Sequence, residues 1–165
     1  MTKLKVISHP IAPVYDENSR ILILGSFPSV KSREVGFYYG HPQNRFWPLL
    51  ASIFSEEIPK KVEGRHAFLL QHGIALWDVI ASCRIEGSAD SSISDAVPND
   101  LQPILEKAEI RAIYTNGGTA AGLFQKYQEK MSGRRAIRLP STSPANAGWS
   151  FDRLLEAWKM IYNSL

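Results

Sequence analysis

The chain has 165 residues, 44% hydrophobic and 21% charged, which suits one domain over residues 1–165 with a sizeable core. Its single cysteine, Cys83, excludes an intramolecular disulfide and four-cysteine zinc or iron–sulfur sites; it reads as a small buried hydrophobe in a reducing, cytoplasmic setting. No apolar run approaches the roughly 20 residues of a membrane span, the amino terminus lacks a signal-peptide core, and the net charge of +3 is compatible with a polyanionic partner.

Residues 1–19 carry two prolines, Pro10 and Pro13, and read as an extended arm ending in the turn Asp16-Glu17-Asn18-Ser19. Arg20–Gly25 is a continuous apolar run closed by glycine, as expected of a strand covered on both faces. The stretch Gly25–Trp47 (GSFPSVKSREVGFYYGHPQNRFW) is too long for a mere connection, since most strand–helix loops have about 2–6 residues. From Phe46 the apolar residues recur at helical spacing, and Pro48 places the helix start at Phe46–Trp47. Gly64–His72 reads as a short helix, Ile74–Ile80 as a second strand, and Cys83–Pro98 as a polar loop without periodicity. Asn99-Asp100 opens a helix through Glu106, and Ile110–Asn116 is a third strand. After Gly117-Gly118-Thr119 comes a helix from Ala120 to about Lys130, then a fourth strand, Arg135–Leu139. The LPSTSPANAG segment precedes a final amphipathic helix with Trp149, Phe151, Leu154, Leu155, Trp158 and Ile161 on its inner side.

Strands alternating with helices predict a three-layer α/β/α domain with a short, mainly four-stranded parallel sheet. Ligands of such sheets sit outside the strand carboxyl ends. The loops starting at Gly25, Asp78, Asn116 and Pro140 are therefore expected to share one rim.

Three loops suggest chemistry. Phe37, Tyr38 and Tyr39 lie in a glycine-flanked loop and cannot all point into one core; the remainder either packs within the loop or is free to stack on a planar base. Ser141–Gly148 reads either as a helix cap with a turn or as a loop that meets backbone phosphate through hydroxyls and N–H groups. Asn116–Gly122 has neither P-loop nor dinucleotide spacing; it reads either as a turn that starts a helix close to the sheet or as a helix amino terminus whose N–H groups receive a phosphate or a polarised base. The cations Lys31, Arg33, Arg45, Arg134, Arg135 and Arg138 fall in or beside these loops. His9, His41, His66 and His72 are scattered, and a metal site is not expected.

GSFP, GFYYGHPQNRFW, LWDV and LPSTSP, in this order over about residues 20–160, resemble the motifs of the uracil-DNA glycosylase superfamily. GHP-x-NRFW is similar to the mismatch-specific uracil/thymine glycosylases, whose first motif has the form G-x-N-P. Here Phe27 stands where that asparagine would be, as in the hypoxanthine-DNA glycosylase branch. The resemblance implies a monofunctional glycosylase that flips a deaminated base, hypoxanthine first, out of DNA and hydrolyses its N-glycosidic bond. It implies that Asn44 is the catalytic amide, the other reading of Asn44 being a helix cap. It places Gly25, Ser26, Phe27, Tyr39 and Asn116 around the base, and Pro28, Ser29, Ser141, Ser143, Pro144 and Asn146 at phosphate or in the vacated duplex. Neither metal nor organic cofactor is implied, the partner is DNA rather than membrane, and a monomer is expected. Two alternatives stay open: a mismatch-specific uracil/thymine glycosylase, and a catalytically silent nucleic-acid-binding domain.

Overall fold

In the computed structural model, which describes residues 4–165, the chain forms two sheets and seven α-helices among those residues. The strands are β1 (Val6–Ser8), β2 (Ile21–Gly25), β3 (Ile74–Asp78), β4 (Ile80–Arg84), β5 (Ser94–Pro98), β6 (Ala112–Asn116) and β7 (Ala136–Leu139). The helices are α1 (Val30–Val35), α2 (Phe46–Phe54), α3 (Val62–Gln71), α4 (Gln102–Lys107), α5 (Gly118–Tyr127), α6 (Glu129–Ser132) and α7 (Phe151–Trp158).

The central sheet is parallel, in the order β3-β2-β6-β7. Every residue of β2 is buried, as its unbroken apolar run requires. Its side chains divide by strict alternation. Ile21 and Ile23 join a core with Phe46, Leu49, Leu50, Phe68, Leu69, Leu154 and Trp158 from α2, α3 and α7. Leu22 and Leu24 join the opposite core with Ile80, Cys83, Ile104 and Phe124. Each fully buried aliphatic side chain contributes on the order of 1.5–3 kcal/mol, so β2 anchors both layers. Cys83 is buried, as its reading required. The expected three-layer arrangement and four-stranded parallel sheet are present.

Four local expectations need correction. The run Ile74–Ile80 is two strands, β3 ending at Asp78 and β4 starting at Ile80; between them the Val79 and Ile80 N–H groups donate to the successive carbonyls of Gly25 and Ser26, where a regular parallel strand donates at alternate residues. The expected loop Cys83–Pro98 contains the end of β4 and all of β5, which pair in a second, antiparallel sheet of order β1-β4-β5. β5 is short, polar and largely exposed, with register shifts against β4, so it carries no apolar alternation to read. The helix expected from Ala120 to Lys130 is interrupted at Gln128, whose buried amide turns inward to donate to the carbonyls of Val79 (3.2 Å) and Asn99 (2.9 Å). The final helix ends at Trp158 and continues as a 3₁₀ segment, Lys159–Ser164, while Trp149 precedes the helix instead of lying within it. The Gly25–Trp47 stretch also holds α1, capped by Ser29 and ended at the left-handed Gly36.

The strand order creates a switch point. From β2 the chain moves to β3 on one side, then crosses to β6 on the other. The crevice outside the carboxyl ends of β2 and β6 is where such sheets bind ligands.

Candidate active site

A cavity of about 160 Å³ occupies that crevice. An apolar cavity of about 150 Å³ holds benzene, so the volume suits a planar ring system. The four loops that the sheet argument predicted line it, joined by Ser88 and Asp90 from the β4–β5 connection. The β2 loop brings Gly25, Ser26, Phe27, Pro28, Ser29, Tyr39 and Asn44; β3 brings Asp78; β6 brings Asn116; the β7 loop brings Ser141, Ser143 and Pro144. Asn146 does not line this cavity but an adjoining groove, which shares Asp90, Asn116, Ser141 and Ser143 with it.

The aromatic run separates by function. Phe37 and Tyr38 are buried in the α2/α3/α7 core, the Tyr38 hydroxyl donating to the Ala12 carbonyl at 2.8 Å. Tyr38 also lines the cavity, but the aromatic that is only partly buried there is Tyr39. Its backbone lies in the left-handed region (φ 54°), unusual for a bulky residue and frequent at functional sites. One face of its ring lies on Phe46, with centroids 4.1 Å apart. Its hydroxyl is buried without a hydrogen-bond partner among the described residues. Burial, followed by the charge of Asp78, holds the Tyr39 pKa far above the ordinary phenol value, while the neighbouring Asn116 amide pulls it down slightly.

Asn44 occupies the turn before α2. Its Oδ1 accepts from the Phe46 N–H at 2.9 Å, so the amide does cap the helix start. The same bond fixes the amide plane on the cavity wall, and capping and catalysis are therefore compatible for this residue. The Asn116 amide is bonded reciprocally to Thr142, donating to Oγ1 and accepting from N–H, both at 3.0 Å. It ties the β6 loop to the β7 loop.

The β7 loop braces itself. Ser141 Oγ accepts from Ser143 N–H, Ser143 Oγ accepts from Ala145 N–H, and Asn146 Nδ2 donates to the Ser141 carbonyl. A hydroxyl that accepts in this way keeps its own proton to donate. Arg45 is the outer clamp: its guanidinium donates to the carbonyls of Trp149, Ser143 (3.1 Å) and Asn146 (3.0 Å). Arg33 likewise donates to the Gly87 carbonyl at 2.9 Å and lies 5.7 Å from the Phe27 ring centroid. These two sequence-predicted cations thus hold loops together, whereas Arg138 is exposed along the adjoining groove, packed against Gly118.

Two carboxylates in the cavity wall escaped the sequence reading. Asp78 is buried, and its Oδ2 lies 2.7 Å from His9 Nε2. A lone charged residue inside the apolar run Ile74–Ile80 was the available signal. Asp90 comes from the β4–β5 connection, and its Oδ1 accepts from Ser26 Oγ at 2.9 Å. Asp90 is exposed as a residue, but its carboxylate is turned inward. Loss of water raises its pKa, the Ser26 hydroxyl partly offsets this, and the charge of Asp78 raises it further. Nothing in a run of serines, glycine and aspartate foretold that position. Among the described residues no three His, Cys, Asp or Glu side chains gather as a metal set, and no helix is long and apolar enough to cross a membrane.

A base-sized cavity at the switch point of a parallel sheet, walled by aromatic, amide and carboxylate side chains and rimmed by serine-bearing loops, defines an α/β protein built to take in one planar polar ring. Comparison with known proteins makes this specific. The family model of the uracil DNA glycosylase superfamily matches residues 12–161, and the chain belongs to that superfamily. A hypoxanthine DNA glycosylase of Methanosarcina acetivorans is 34% identical over 95% of this chain and 99% of its own length. One of Methanosarcina barkeri is 36% identical over 81% of this chain and 85% of its own. The solution NMR structure of a candidate uracil DNA glycosylase from Methanosarcina acetivorans superposes with a TM-score of 0.80 at 34% identity, covering 96% of this chain and 97% of that one.

Proposed function

We propose that this protein excises hypoxanthine from DNA by hydrolysing the N-glycosidic bond of a flipped deoxyinosine. The observation that carries the reading is the single cavity in which Phe27 takes the first-motif position and the Asn44 amide stands on the wall. Relatives named hypoxanthine DNA glycosylases match over most of the chain, which supports the choice of base.

In this mechanism the base enters the cavity beside Tyr39, and its stacking offsets part of the few kcal/mol spent on unstacking the duplex. Asn44 orients a water toward C1′. As the C1′–N bond breaks, the sugar gains oxocarbenium character and the base leaves with the bonding electrons. A neutral amide is a weak base, so much of the acceleration comes from hydrogen bonds to the departing base, supplied by backbone N–H groups at Ser26–Phe27 and by Asn116. Pro28, Ser29, Ser141, Ser143, Pro144 and Asn146 together form the surface that meets the flanking phosphates and the vacated duplex. No lysine stands at a motif position, so no Schiff base forms. The protein acts as a monomer, as one domain, at the nucleoid.

Single-turnover base release from duplexes carrying one deoxyinosine or one deoxyuridine tests this. Asn44→Ala is expected to slow hypoxanthine release by about 10²–10⁴-fold. It should lower stability by only about 1 kcal/mol, the worth of the lost cap to Phe46 N–H. Release of uracil alone would move the protein to the mismatch-specific group. Intact DNA binding without any release would make it a silent binding domain.

A further inference from the structure

We infer that His9 is a positioning residue for base recognition: it holds Asp78 so that one carboxylate oxygen is presented to the ring N–H of the flipped base. The inference rests on the glycosylase reading above.

His9 belongs to the amino-terminal arm, 69 residues from Asp78 in sequence. Its place is set by backbone bonds. The His9 N–H donates to the Ala81 carbonyl at 2.7 Å, and the Ile11 N–H donates to His9 Nδ1 at 3.2 Å. A nitrogen that accepts an N–H carries no proton, so the proton is on Nε2, and Nε2–H donates to Asp78 Oδ2 at 2.7 Å. The two side chains are 4% and 5% exposed. The imidazole is further wedged by an edge-on contact with Phe27, centroids 5.8 Å apart.

A buried carboxylate is costly unless its oxygens are bonded. His9 satisfies Oδ2. Among the described residues no donor reaches Oδ1, which is turned over Gly25: a Cβ on Gly25 would lie 2.4 Å from it. The Tyr39 hydroxyl, likewise without a hydrogen-bond partner among the described residues, would lie 3.1 Å from the same Cβ. Glycine at position 25 keeps this space open, and Asp78 lines the cavity that the base would enter. An acceptor fixed there fits hypoxanthine, whose N1 carries a hydrogen. It opposes adenine, whose N1 presents a lone pair, and so separates the deaminated base from its parent. Sites built around such a bond reject analogues lacking the hydrogen far better than sites that discriminate by shape.

The test uses the full chain in single-turnover release from duplexes containing deoxyinosine or 1-methyldeoxyinosine, with His9→Ala, His9→Gln and Asp78→Asn. The native protein should favour inosine over its methyl analogue by about 100-fold or more. His9→Ala should lower the maximal rate by about 10-fold or more, leave the half-saturating DNA concentration nearly unchanged, and shrink that preference. His9→Gln, which keeps an N–H donor, should restore most of both. In an Asp78→Asn background the His9→Ala change should add little, because coupled residues are not additive. Equal release of the two bases by native protein, or a His9→Ala variant that loses stability while keeping the preference, would overturn the inference. If uracil alone is released, the substrate reading fails separately, and 3-methyluracil then poses the same question for N3. No release of any base removes both. Should His9→Ala not fold, the Gln and Asn variants decide.

Discussion

Arg45 offers the sharpest test of how the site is held together. Its side chain donates to three carbonyls of the Ser143–Trp149 segment, and its backbone N–H donates to the Thr142 carbonyl at 3.1 Å. A hydrogen bond to a charged group has a net worth of about 1.5–3 kcal/mol when buried. Arg45 is partly exposed, so water can replace part of each bond. About 1 kcal/mol per bond is then reasonable, or about 3 kcal/mol for Arg45→Ala. Arg45→Lys keeps the charge, but its ammonium is a compact donor without the planar fork. If it keeps one carbonyl of the three, about 2 kcal/mol should be lost. Urea unfolding with a common m-value measures both. The β7 loop should also loosen in the variants, seen as faster amide exchange at Ser143, Ala145 and Asn146. An Arg45→Lys variant as stable as the native protein, or an Ala variant costing under about 0.5 kcal/mol, would refute the clamp and return Arg45 to the pool of DNA-facing cations.

Arg138 is expected to behave in the opposite way. Exposed along the groove beside the cavity, it should contribute to DNA affinity without much effect on folding. Arg138→Ala should weaken binding to all duplexes alike and reduce the slope of log affinity against log salt by about 1, measured by fluorescence anisotropy; an unchanged slope would place it off the DNA path. Asp90 gives a pH prediction. Its carboxyl pKa is raised in the folded state, chiefly by loss of water, so its contribution to stability is greatest in acid, where both states are protonated. That contribution is lost as pH rises through the raised folded value, and Asp90→Asn should therefore gain stability relative to the native protein on going from acid to neutral pH. Urea midpoints across that window check the sign, and a gain in the opposite direction would mean that the Ser26 bond outweighs desolvation.

The central architecture was legible in the chain because its signals are local. A fully buried parallel strand has to be a continuous apolar run, and Ile21–Leu24 is one. The convergence of the Gly25, Asp78, Asn116 and Pro140 loops followed from parallel strands alone, and the cavity lies among those loops. Asn44 could be singled out because its motif is contiguous. By contrast, the antiparallel sheet has short strands with irregular register and a polar edge, so neither period nor composition announces it. The Gln128 break likewise depends on distant acceptors, the carbonyls of Val79 and Asn99.

The amino-acid sequence by itself determined the buried strands of the parallel sheet, the helices that alternate with them, and which loops stand at their ends, since burial period and turn chemistry act over a few residues. Tertiary structure alone decided what the polar residues do. Arg45 and Arg33 turned from cations lying in a rim loop into clamps because carbonyls from remote loops lie within their reach. His9 turned from a scattered imidazole into the partner of a buried carboxylate, because the arm crosses the sheet edge at Ala81. A hydrophobic side chain gains by leaving water wherever it goes, and its role can be read from pattern; a polar side chain gains only when a specific partner meets it within about 3 Å, and that partner is placed by the fold.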